Sequence, residues 1–245
     1  MRKHLSVLAL WAGSTLHWVL GIAGVTAGAQ LLLFRRALAM AAEEPVVLDE
    51  TVKAAGLPLA ATVGFVLFCA LLSVSGCALQ GSRTEYTLRR LSVREESAVL
   101  WKAGYHVVCL LLFWAVQVGV LLLVCRWYSD ALPAQYRSEQ TAFLAVYRIE
   151  FFHGLLPLEN QLVWWRNIVA VLGLALNTAC FSFRQRRGKF SILPLLALLT
   201  VLWGFCGGVR EAAVHELMIL AICMWMAFDV YALICSRRGG EEDAG

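Results

Sequence analysis

Six apolar stretches of roughly 20 residues, separated by more polar, charged links, constrain this chain more than any other feature. A stretch of that length crosses a hydrocarbon core of about 30 Å as an α-helix. In lipid a lone span must satisfy its own backbone N–H and C=O groups, which only a helix does. The stretches fall at about 5–34, 57–80, 103–128, 162–183, 190–208 and 212–235. The expectation is an all-α polytopic membrane protein with six transmembrane helices, forming one domain over residues 1–236 and ending in a short charged tail, 237–245.

Composition removes the soluble alternatives. Charged residues make up 16% of the 245 and apolar ones 60%, whereas an ordinary soluble domain is roughly 25% charged. A cytosolic nucleotide-binding enzyme, a disulfide-stapled secreted domain and a disordered tail are all excluded. Arg2 and Lys3 precede the first stretch as in a signal peptide. Its apolar run exceeds the roughly 7–15 residues of a signal core, so an uncleaved helix is expected.

Lys and Arg are retained in cytoplasmic loops and so orient the spans. With the N-terminus inside, 13 of the 21 basic residues fall on the inner side with 6 of the 17 acidic ones. The outer side holds 8 basic and 10 acidic residues, and Asp229 lies within the last span. Both termini are therefore expected in the cytoplasm, with the bundle in the plasma membrane. The eight cysteines, at 69, 77, 109, 125, 180, 206, 223 and 235, all lie in or beside spans and form no C-x-x-C pair. They read as small apolar packing residues.

The most informative link is GSRTEYTLRRLSVREESAVLWK, residues 81–102. Gly81 follows span two, where a helix C-terminus favours glycine. Ser82 with Glu85, and Ser92 with Glu95, each form an S-x-x-E capping box. Two boxes imply two helix starts: a short amphipathic helix near 83–91, then a longer one continuing into span three. The first is too short to stand alone and needs a surface to rest on. The plain alternative is a basic loop whose Arg89, Arg90 and Arg94 attract anionic lipid headgroups.

Six spans, inner termini and a short helix between spans two and three resemble the membrane subunits of type-2 ABC transporters, a permease family that includes many bacterial exporters. The local matches are Glu85, Thr87, Leu88, Leu91, Val93, Arg94 and Lys102, while Ser92 stands where that family often has Pro. The resemblance implies that Arg83, Glu85, Thr87, Leu88, Arg89, Arg90, Leu91 and Arg94 form a coupling helix seated on a separate ATPase subunit. It also implies a second permease copy, identical or not. The chain itself has no G-x-x-x-x-G-K-[ST] loop, no G-x-S-x-G elbow and no H-E-x-x-H pair. No enzymatic activity, cofactor, metal or nucleic-acid partner is expected of it, and hydrolysis would belong to the partner.

The 127–161 connection places Phe143, Leu144, Tyr147 and Phe151 at helical spacing ahead of Trp164 and Trp165. This fits an amphipathic helix in the outer interface with an aromatic belt. His153 reads as structural. Between spans five and six, Gly204, Gly207 and Gly208 permit close backbone approach or a broken helix. Arg210, Glu211, His215 and Glu216 would gather at its mouth, and a metal site from His153, His215 and Glu216 lacks zinc-like spacing.

Polar residues inside spans are functional candidates by default. They are His17, Gln30, His106, Gln117, Asn177 and Asp229, of which Gln117, Asn177 and Asp229 are the leading site residues. Asp229 is expected to pair with a basic residue such as Arg187 rather than relay protons. Other readings stay open: an ion-coupled secondary transporter using Asp229, a haem protein with His17 and His106 as axial ligands, and a non-catalytic scaffold or accessory subunit.

Overall fold

The computed structural model describes residues 2–40, 47–75, 77, 95–132, 140–158, 160–188, 191–206 and 212–242. All regular elements among them are helical: α1 (Arg2–Met40), α2 (Leu48–Ala54), α3 (Leu57–Val74), α4 (Glu95–Ala131), α5 (Thr141–Arg148), α6 (Glu150–Leu155), α7 (Gln161–Arg186), α8 (Leu193–Cys206) and α9 (Ala212–Glu242). Five of them, α1, α3, α4, α7 and α9, are long and apolar enough to cross a membrane.

Of the fifth apolar stretch, expected to span over 190–208, the described residues form α8 with 14 residues. At 1.5 Å per residue that is about 21 Å, short of a hydrocarbon core. Pro194 stands in its first turn, where a missing N–H costs nothing. Span two ends at Val74 rather than near Gln80, because Ser75 turns to ψ 120° and leaves the helix. The C-terminal tail expected from 237 is helical as far as Glu242, continuing α9. The coupling segment 81–94, with all eight of its proposed docking residues, lies outside the described residues. The helix expected to follow it and enter span three is α4, continuous from Glu95 to Ala131.

α7 is the hub. Some 72% of its apolar window is buried, against 22% in α1 and α9, which sit at the periphery. Its start is set by Asn160, whose Oδ1 accepts from the backbone N–H of Leu162 (3.0 Å) and Val163 (3.4 Å). These are two of the donors a helix N-terminus otherwise leaves unpaired. In lipid, helices associate through close packing and polar contacts rather than through release of water. Accordingly a Cβ on Gly173 of α7 would collide with Ile222 of α9, and one on Gly64 of α3 with Thr26 of α1. The central core joins Phe68, Leu72, Tyr105, Phe113, Leu174, Val201 and Ile222.

The end assigned to the outside is covered by α2, α5 and α6. A second core there packs Val52, Ile149 and Phe152 on Phe34, Leu57, Leu121 and Val124. The single amphipathic helix expected over 143–151 is broken at Ile149, whose backbone is extended (φ −86°, ψ 112°). Phe143, Leu144 and Tyr147 face outward, while Ala145, Val146 and Ile149 are buried. Phe151 leaves the expected aromatic stripe and turns inward. Cys69, Cys77, Cys109, Cys125 and Cys180 are buried packing residues as expected. Cys223 and Cys235 instead lie exposed on α9.

Candidate functional site

Polar side chains inside the bundle gather at two levels. Along α4 these are marked by Lys102 with His106 and, about 16 Å further on, by Gln117.

At the first level Lys102 is fully buried. Its ammonium donates to the backbone carbonyl of Ser75, just past the end of α3, and to Ser182 Oγ on α7 at 2.7 Å. It also lies over the Trp11 ring of α1 at 4.8 Å, a cation–π contact. One side chain thus ties four helices, and Lys102 belongs to the interior rather than to an exposed docking face. One turn on, His106 Nδ1 meets Thr178 Oγ1 at 2.8 Å. The Thr178 hydroxyl donates to the Leu174 carbonyl at 2.7 Å, so the histidine N–H is the donor to threonine. The same reasoning makes Tyr105 the donor to Thr15 Oγ1 at 2.8 Å, since Thr15 donates to the Trp11 carbonyl.

Asp229 pairs with Arg184, not Arg187, at 2.5 Å between Nη2 and Oδ1. Arg184 also donates to Ser191 Oγ at 3.1 Å and covers the Phe228 ring at 4.9 Å. Arg187 is the C-cap of α7, where the chain leaves the helix, and its guanidinium stacks on Phe183 at 4.3 Å. Asn177 donates to the Gly173 carbonyl in its own helix at 2.8 Å. The other oxygens, Asn177 Oδ1 and Asp229 Oδ2, are buried without a hydrogen-bond partner.

At the second level Gln30 Nε2 donates to Gln117 Oε1 at 3.0 Å and leans toward the Leu57 carbonyl at 3.4 Å. The carbonyl fixes which end of the Gln30 amide is nitrogen, and so which end of Gln117 is oxygen. Gln117 Nε2 is left without an acceptor. Nearby, Arg166 donates from Nε and Nη2 to Asn167 Oδ1 (3.1 and 2.9 Å) and from Nη1 to the Gly204 carbonyl (3.1 Å). Asn167 Nδ2 donates to the Gly154 carbonyl at 2.9 Å. Two adjacent side chains of α7 therefore hold α6 and the end of α8. Between them lies a cavity of about 100 Å³, lined by Thr62, Gln117, Asn167 and an aromatic group that includes Phe65, Phe113, Trp114 and Phe205.

Several expected groupings do not form. His17 is exposed on α1 beside Trp18, whereas His106 is buried, so the pair presents no common axial site. His215 is buried and Glu216 exposed, and His153 sits edge-on to Tyr147 at 6.4 Å. Among the described residues no three His, Cys, Asp or Glu side chains are placed to hold a metal. Arg210 and Glu211 lie outside the described residues. Arg166 and Asn167 were not singled out from sequence. Their signal was present: an arginine and an asparagine directly after Trp164 and Trp165 of the aromatic belt.

The class these elements define is an all-helical protein whose multiple apolar helices are compatible with a multi-pass membrane protein. No family model matches the chain, no curated protein matches its sequence and no solved structure matches its fold.

Proposed function

We propose that the chain is the permease subunit of a type-2 ABC-like transporter in the plasma membrane, with both termini in the cytoplasm. It moves its substrate together with a second permease copy, and a separate ATPase subunit supplies the energy. The observation that carries this reading is the Lys102–Ser75 bond. It closes the base of the stretch that holds the coupling segment, where α3 ends and α4 begins. α4 then runs unbroken from Glu95 to Ala131. A push on Arg83, Glu85, Thr87, Leu88, Arg89, Arg90, Leu91 or Arg94 would pass along α4 and through Lys102 to α3, α7 and α1.

The test is purification of the full chain from its native membrane, followed by identification of associated proteins. A co-purifying protein with a Walker motif, lost on charge reversal at Arg89, Arg90 and Arg94, is the expected result. A complex unchanged by that reversal would remove the proposed docking surface. The absence of any ATPase would remove the reading itself.

A further inference from the structure

We infer that the cavity between α3, α4, α7 and α8 is a binding site for a small neutral molecule with an aromatic or similarly flat apolar body and one hydrogen-bond acceptor. This goes beyond the permease reading and does not rest on it.

Size, lining and one unpaired donor converge on that class. The cavity holds about 100 Å³, the same order as the roughly 150 Å³ cavity that accepts benzene in an engineered protein core. Phe65, Phe113, Trp114 and Phe205 supply ring faces and edges, and aromatic pairs gain from offset or edge-to-face stacking beyond the area they cover.

The polar groups of the lining are already engaged. Trp114 Nε1 donates to the Leu155 carbonyl at 3.1 Å, Thr62 Oγ1 to the Pro58 carbonyl at 2.8 Å, and Asn167 to Gly154. Gln117 differs: it is 4% exposed and its Nε2 lacks a partner. A buried water is normally held by two to four polar partners, and this wall offers one open group, the Gln117 amide nitrogen. A ligand acceptor, a carbonyl or ether oxygen, satisfies that donor while the apolar remainder meets the rings. A charged ligand would find no counter-ion in the lining and would bear the full cost of desolvation.

The test uses the full chain in detergent micelles and two probes of the same shape, 4′-fluoroacetophenone and 4-fluoro-α-methylstyrene, followed by fluorine NMR. The first carries a carbonyl where the second carries a methylene. The ketone is expected to bind wild type about tenfold more tightly than it binds Gln117→Leu, about the worth of one net hydrogen bond. The alkene should bind both alike. Partition into micelles is the same for both proteins and cancels. Ala61→Leu, or Val201→Phe if the first fails to fold, should abolish binding of both probes by filling the space. Three results overturn the proposal: no binding of either probe, a ketone affinity indifferent to Gln117→Leu, or binding that survives in a folded filled variant.

Discussion

Lys102 on α4 donates to the backbone carbonyl of Ser75, 27 residues earlier in the chain, where α3 has just ended. A lysine ammonium has three donors, and here they reach a carbonyl, the Ser182 hydroxyl and the face of Trp11. The bond fastens the end of α3 to α4 across the link that joins them.

Lys102→Met keeps the length of the side chain and removes its donors. The carbonyl of Ser75 then stays buried without that partner, at a cost of about 1–3 kcal/mol. Thermal unfolding in micelles is expected to show a lower midpoint than wild type. An unchanged midpoint would mean that the ammonium does not fasten α3 to α4.

Breaking a buried ion pair from one side leaves the other charge uncompensated, typically at about 3–5 kcal/mol. Asp229→Asn and Arg184→Gln are each expected to destabilise, and the double variant to cost less than the sum of the two. Strict additivity across that cycle would show that Arg184 and Asp229 do not act as a pair.

Gly173 lets α7 and α9 approach where Ile222 occupies the space of a side chain. Gly173→Ala should force the helices apart and lower the unfolding midpoint. Ile222→Ala is expected to restore part of the loss by vacating that space. A glycine variant as stable as wild type would contradict the close crossing.

Arg166 uses three nitrogens in a fixed fork, two on Asn167 and one on the Gly204 carbonyl. Lysine carries the charge but not the fork. Arg166→Lys should therefore release the end of α8, seen as faster amide hydrogen exchange over Trp203–Phe205 with α4 unaffected. Uniform protection in both proteins would show that the guanidinium does not secure α8.

Much of the fold was legible from the chain because hydrocarbon leaves a long apolar run one conformation. The runs at α1, α3, α4, α7 and α9 became helices of spanning length, and the Ser92–Glu95 box was followed by one continuous helix. The polar contacts were less legible. Arg184 and Arg187 are three residues apart and stand on neighbouring parts of one helix face. Asp229 meets Arg184 because that residue is still within α7, a turn deeper, whereas at Arg187 the helix has ended. The helix break at Ile149 was hidden for a similar reason: the aromatic spacing on both sides of it is helical, and only packing against the start of α3 and the later part of α4 turns Phe151 inward.

Apolar run length thus carries the helices of spanning length, since it depends on local composition alone. In the sequence Lys102 stands only as one match to the permease family and Gln117 as one of several polar residues inside spans, and Arg166 draws no attention. Whether each faces lipid, a neighbouring helix or a cavity depends on how its helix is rotated and on what the next helix brings opposite it. That rotation is chosen by the whole bundle, so the four-helix tie at Lys102 and the unpaired donor at Gln117 emerge only once the helices are packed together.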